Sequence, residues 1–165
     1  MMAPDLRILV TGGTLDKIHD MLGERLAFAP DGGTHLPEIL TRGRCAFPIV
    51  QQVLMKDSLD FTDADRAAIL AAAQAAPDPA LVITHGTGTM GETARFLAGH
   101  LPGKTVVLTG AMRPHSLGRS DAAFNLGGAI IAAQTLPPGI YGVMNGRVFV
   151  AGDLDKNTAT GRFDD

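Results

Sequence analysis

The sequence predicts an α/β fold: a three-layer, open and mainly parallel sheet with helices on both faces, forming a single domain over residues 1–165. Three observations lead there. Short, nearly continuous apolar runs recur along the chain, which suits strands covered on both faces. Longer, Ala-rich segments with helix start and stop signals lie between them. The composition, 45% hydrophobic and 19% charged over 165 residues, supplies one self-sufficient core and is unlike that of a disordered chain. Alternating strands and helices of this kind build parallel sheets through right-handed crossovers.

The elements follow in order. Leu6-Arg7-Ile8-Leu9-Val10 reads as a buried strand. Residues 16–33 have weak periodicity and three glycines, Gly23, Gly32 and Gly33, and read as a long functional loop, a mobile lid candidate. A short helix is expected over 36–42 and a strand over 47–55. Thr62-Asp63-Ala64-Asp65 is a helix-capping pattern ahead of a helix over 67–76, which Pro77 ends. A strand at 81–84 is followed by Thr89-Met90-Gly91-Glu92, a capping-box pattern that opens a helix over 93–100. A strand at 105–108 comes next, then a helix over 122–135 opened by Ser120-Asp121 and closed by Pro137-Pro138. Strands at 140–144 and 147–150 complete the set, with no internal repeat.

Charge and composition exclude several functions. There are 14 basic and 17 acidic residues, a net charge of −3, and no Lys/Arg-rich run, so no face suited to nucleic-acid phosphates is expected. Cys45 is alone and reads as a small buried hydrophobe, since one cysteine makes neither an internal disulfide nor a Cys-rich zinc site. His19, His35, His85, His100 and His115 lack close metal-ligand spacing, so no metal is expected. His85 reads as a local hydrogen-bonding residue and Arg113 as a salt-bridge partner. The first residues, Met1-Met2-Ala3-Pro4, lead straight into a strand without a signal peptide's apolar run, and no run of 18 apolar residues is present. The expectation is a cytoplasmic protein with no membrane segment.

Chemistry is expected at one edge of the sheet, because ligands bind beyond the carboxyl ends of parallel strands. The segments leaving four of the predicted strands are Thr11-Gly12-Gly13-Thr14, Lys56-Asp57-Ser58, His85-Gly86-Thr87-Gly88-Thr89 and Gly110-Ala111-Met112-Arg113-Pro114. Hydroxyls beside glycines that let a ligand approach the backbone suggest acyl transfer with a threonine nucleophile. Such a hydroxyl needs a neighbour to take its proton, and Lys156, after the last predicted strand, is a candidate because burial lowers a lysine's pKa.

Thr11-Gly12-Gly13-Thr14, Thr84-His85-Gly86-Thr87-Gly88-Thr89-Met90, Leu108-Thr109-Gly110-Ala111-Met112-Arg113-Pro114 and Asp121-Ala122-Ala123-Phe124-Asn125-Leu126 together resemble the N-terminal domain of bacterial L-asparaginases, in order and along nearly the whole chain. The chain stops where that family's smaller C-terminal domain would begin, so the resemblance is to the short, single-domain type. It implies hydrolysis of L-asparagine to L-aspartate and ammonia through a threonine acyl-enzyme, with no cofactor and with assembly into homo-oligomers. It implies Thr11 as nucleophile, Thr87 and Lys156 as the relay, Ser58 as carboxylate holder, and Gly86 with Thr87 as a substrate-binding strand end. The chain departs from the family in two places. Gly88 stands where the family has an aspartate that grips the substrate's α-ammonium, a partner whose loss typically costs about 1.5–3 kcal/mol. Leu26 stands at the position of the lid tyrosine, with His19 or another lid residue as a substitute. Asp16, Asp57 or an acid from a neighbouring subunit are the candidates to replace the missing charge.

Two other readings compete. One is a small-ligand binding module that keeps this scaffold without turnover. The other is a dinucleotide-binding domain, since Gly86-Thr87-Gly88-Thr89-Met90-Gly91 is G-x-G-x-x-G between a strand and a helix. That pattern needs an acidic residue about 20 positions on, and residues 106–111 contain none.

Overall fold

Apolar runs without a polar face become central strands, because only a sheet sends successive side chains into two opposite cores. The structure, a computed structural model, describes residues 5–164; the reading of residues 1–4 as free of a targeting segment lies outside the described residues. The elements are β1 (Leu6–Gly12), β2 (Lys17–Asp20), β3 (Arg25–Phe28), α1 (Leu36–Arg42), β4 (Ile49–Lys56), α2 (Asp63–Ala75), β5 (Ala80–Thr84), α3 (Met90–Leu97), β6 (Thr105–Thr109), α4 (Ala122–Thr135), β7 (Gly139–Met144) and β8 (Arg147–Val150). Six strands form one sheet in the order β4-β1-β5-β6-β7-β8. The pairs from β4 through β7 are parallel, and β8 returns antiparallel to β7. That return is a tight turn through Asn145 and Gly146, both at positive φ (54° and 76°), the twist a short hairpin needs.

Both faces of the sheet are covered, as expected. Leu6, Ile8 and Val10 of β1, with Val82 and Val107, pack under Leu36 of α1 and Leu126 and Ala129 of α4. On the other face Leu9, Leu81, Ile83, Val106 and Leu108 meet Ile69 and Ala73 of α2 and Ala94 and Leu97 of α3.

The local differences from the expectation have local causes. Residues 16–33 are not all loop: β2 and β3 pair antiparallel, Lys17 opposite Phe28 and Asp20 opposite Arg25. Their four-residue strands are too short and too polar to show in the sequence pattern. Buried Asp16 ties the base of this hairpin to the chain that follows it, accepting from His35 N at 2.7 Å and from Thr34 Oγ1 at 3.0 Å. Burial raises the Asp16 pKa in spite of those bonds. The Thr62–Asp65 capping box forms and starts α2 at Asp63. The Thr89–Glu92 box does not form: Thr89 Oγ1 donates instead to Ser58 O at 2.9 Å. Asp121 ties a loop down, accepting from the backbone N–H groups of Met112 and Arg113. Arg113 bonds the carbonyls of Leu117 and Gly118 rather than a carboxylate. Cys45 is half-buried at the margin of the core. Among the described residues no helix is long and apolar enough to cross a membrane, and no group of three or more His, Cys, Asp or Glu is arranged to hold a metal ion.

The Thr62 cap satisfies donors that α2 otherwise leaves open. Thr62→Ala is expected to lower stability by about 1 kcal/mol in urea unfolding, without changing the dependence on denaturant.

Candidate active site

β1 lies between β4 and β5, so the segments leaving these three strands meet at the sheet's carboxyl edge. They meet backbone to backbone. Gly13 has φ 84°, and a Cβ there would lie 2.5 Å from Gly86 N. A Cβ on Gly86 would lie 2.5 Å from Ser58 Oγ. Gly13 N donates to Lys56 O at 3.1 Å and closes the seam from the β4 side. Side chains at Gly13 and Gly86 would push the three loops apart.

The seam positions the hydroxyls. Thr11, fully buried at the end of β1, donates from Oγ1 to Thr84 O at 2.6 Å. Thr87 lies just past the end of β5, and its Oγ1 accepts from Lys156 Nζ at 3.1 Å. Lys156 reaches it because the chain after β8 is fastened to α3. Leu154 is buried in the core, and Asp155 pairs with Arg95 through two bonds of 3.0 and 3.1 Å. The structure thus brings Thr87 and Lys156 together, with Thr11 on the neighbouring strand end and turned toward Thr84. Thr14, half-buried three residues on, is a second hydroxyl in the same loop.

Ser58 is buried beside Gly86, and its Oγ accepts from Thr89 N at 3.3 Å. Asp57 caps the one-turn 3-10 helix Ser58–Asp60, accepting from Leu59 N at 3.0 Å, and its Oδ2 binds Lys17 Nζ at 2.5 Å. Burial pushes the Asp57 carboxyl upward, but the Lys17 hydrogen bond, the Leu59 N–H and the charges of Lys17 and Lys156 leave it below the usual carboxylate range. Lys17 gives no sequence signal, because it sits in the segment read as loop. Gly88 faces the side chain of Leu59.

His85 is structural, as its position at a strand end suggests. Its Nδ1 bonds Gly86 O at 2.7 Å and its Nε2 bonds Thr93 Oγ1 at 2.7 Å. Arg66 Nε donates to the same Thr93 oxygen at 3.2 Å, so the Thr93 hydroxyl proton goes to His85 Nε2 and His85 Nδ1–H goes to Gly86 O. The Arg66–Thr93–His85–Gly86 chain holds the Gly86 peptide from beneath. Sequence reasoning missed Arg66 and Thr93, which lie on separate helices. Full burial, with the nearby Arg66 charge, lowers the His85 pKa to about 4 and keeps the ring neutral at pH 7.

The glycines of the dinucleotide-like pattern are filled by protein. Gly86 packs on Ser58, Gly88 on Leu59, and Gly91 on the Leu154 carbonyl and Asp155. They serve internal packing rather than a cradle for pyrophosphate.

Residues 5–164 match a family described as asparaginase, N-terminal. The chain is 42% identical over 83 residues to L-asparaginase 2 of Escherichia coli, a match covering 48% of this chain and 24% of that protein. It is 31% identical over 155 residues to the L-asparaginase of Thermococcus kodakarensis, covering 92% of this chain and 47% of that protein. A solved structure of the thermostable L-asparaginase from Thermococcus kodakarensis superposes with a TM-score of 0.71 at 27% identity, covering 88% of this chain and 45% of that one. The matched region spans less than half the length of each of these relatives.

The buried His85 makes stability depend on pH. The unfolded chain takes up a proton at this residue near pH 6.5, and the folded one only near pH 4. The folded state therefore loses stability as pH falls through that interval, by on the order of 3 kcal/mol in full. Urea unfolding of the native chain and of His85→Gln at pH 7.5 and pH 4.5 checks it. The loss between the two pH values is expected to be smaller in the variant, and equal losses would exclude His85 as its source.

Proposed function

The chain belongs to the asparaginase family, and from that premise we propose that it is an amidohydrolase releasing ammonia from a carboxamide of the L-asparagine type through an ester on Thr11. The observation that carries this reading is the 3.1 Å bond from Lys156 to Thr87, formed next to the strand end that bears Thr11. Thr11 Oγ1 leaves Thr84 O by rotating about χ1, which costs about one ordinary hydrogen bond of 1 kcal/mol. The oxygen attacks the amide carbon. Thr87 Oγ1, held by Lys156 Nζ, takes this proton as its own hydroxyl proton passes to the departing nitrogen, so that the C–N bond breaks and ammonia leaves. Water attacks the resulting ester, releases the carboxylic acid and restores the Thr11 hydroxyl.

α3 begins directly after Thr87-Gly88-Thr89, so the positive end of its dipole favours the oxyanion that forms at each step. Of the acids open as replacements for the missing charge at Gly88, Asp16 is taken up by Thr34 and His35. Asp57 lies within the field of Lys156, and we assign it as the carboxylate that keeps the lysine pair in balance. Ser58, Gly86 and Thr87 form the wall against which the substrate lies.

Three measurements test this reading. Thr11→Ala is expected to abolish ammonia release, and Lys156→Met to lower it by about 10²–10⁴-fold. Mass spectrometry after an acid quench is expected to find the acyl group on the peptide with Thr11 modified; an adduct on Thr14 would reassign the nucleophile. Binding of the amide with no release of ammonia would favour the module without turnover.

We also infer that the chain assembles with copies of itself. Phe124 and Ile131, seven residues apart and therefore on one face of α4, are 68% and 61% exposed. Sedimentation velocity is expected to show a species larger than the monomer, and Phe124→Lys to reduce it; a monomer at all concentrations would overturn this inference.

A further inference from the structure

Leu59 is the residue of the rim that the proposed chemistry does not use. It lies on the 3-10 turn Ser58–Asp60 with 73% of its surface exposed, an apolar side chain among hydroxyls and charges. A Cβ built on Gly88 would lie 2.7 Å from Leu59 Cδ2 and 3.5 Å from Ser58 Oγ. The isobutyl group therefore overhangs the backbone next to Thr87, whose hydroxyl binds Lys156. An apolar group so exposed at a site is stabilised when a ligand's apolar surface covers it.

The charges beside it are partly taken up. Lys17 and Asp57 bind each other, and the other Asp57 oxygen accepts from Leu59 N. That leaves the Lys156 ammonium, on the Thr87 hydroxyl, and the exposed carboxylate of Asp60. Asp155 is held by Arg95, and Asp16 by Thr34 and His35. The Lys156 ammonium attracts an anion. An ammonium group lying against Leu59 would lose water without gaining Asp16, Asp57 or Asp155 as a partner. Ser58 Oγ accepts from Thr89 N and keeps its own proton for an acceptor on the ligand.

Building on the amidohydrolase reading above, we propose that the preferred substrate is the amide of a small carboxylic acid without a free ammonium group. Its carboxylate faces Ser58 and Lys156, and an uncharged hydrogen, alkyl or acyl substituent covers Leu59 over Gly88. Succinamate and N-acetyl-L-asparagine are the simplest such compounds, and the bond broken is the same carboxamide C–N bond.

The test compares ammonia release by the full chain from L-asparagine, succinamate and N-acetyl-L-asparagine. At least one of the two compounds lacking the ammonium is expected to exceed asparagine in kcat/KM by about tenfold or more, the scale on which a charged group without its partner is penalised. Leu59→Asp, a change at an exposed position that the fold accepts, is expected to move the ratio toward asparagine by about tenfold. Gly88→Asp is expected to act in the same direction once Leu59 swings aside. Preference of the native chain for asparagine overturns the proposal, and so does an unchanged ratio in Leu59→Asp; either would point to exposed Asp60, beside Leu59, as the group that meets an ammonium.

Calorimetric titration of Thr11→Ala with aspartate, succinate and N-acetyl-L-aspartate separates this proposal from the catalytic reading. If no amide is hydrolysed, the amidohydrolase reading falls. The titration then decides the ligand class alone: tighter binding of succinate or N-acetyl-L-aspartate than of aspartate upholds the proposal, and the reverse order overturns it.

Discussion

Three loops meet at the carboxyl edge of the sheet with less room between them than any side chain occupies, and the placement of Thr11, Ser58 and Thr87 follows from that contact. Gly13 lies against the Gly86 backbone, and Gly86 lies against the Ser58 side chain. The parallel ladders β1–β4 and β1–β5 run up to this seam, so the strand register sets the loop positions. Thr11 comes to rest beside Thr84 as a consequence, and Thr87 lies where Lys156, brought in by the Leu154 and Asp155 anchors, reaches it. Arg66, Thr93 and a neutral His85 fix the Gly86 peptide from the α2 and α3 side. A site held by backbone contact and a buried hydrogen-bond chain keeps its geometry before any ligand arrives, the preorganisation that charge stabilisation at a reacting carbonyl requires.

The electrostatics are layered on that frame. The β2–β3 hairpin brings Lys17 to Asp57, while Asp16 fastens the hairpin's base to the segment leading into α1. The rim therefore carries the Lys17–Asp57 pair, Lys156 on Thr87 and, over Gly88, the side chain of Leu59. A side chain at 88 and the present place of Leu59 exclude each other, so these two positions act as one choice about what a ligand meets there.

The sheet, its parallel sense and its helices on both faces were legible from the sequence, because fully buried strands must be apolar throughout and helices carry their caps locally. The capping box at Thr62 and Asp65 and the run of α4 over Ala122–Thr135 are local facts of this kind. The short β2–β3 hairpin was not legible, because strands of four half-polar residues are stabilised by what they pack on rather than by their own pattern. Thr89 shows the same limit. Its capping motif is intact in the sequence, yet its hydroxyl bonds Ser58 O, 31 residues away in the chain.

The sequence by itself determined the α/β class, the edge at which the loops gather, and the threonine, serine and lysine positions there. It also showed that position 88 carries no carboxylate. Only the tertiary structure decided that Lys156 reaches Thr87, that Asp57 is engaged by Lys17, that Asp16 is committed elsewhere, and that Leu59 covers Gly88. The physical reason is distance along the chain: these contacts join residues 18 to 69 positions apart, and no local preference encodes a meeting that exists only once the sheet has brought its strand ends together.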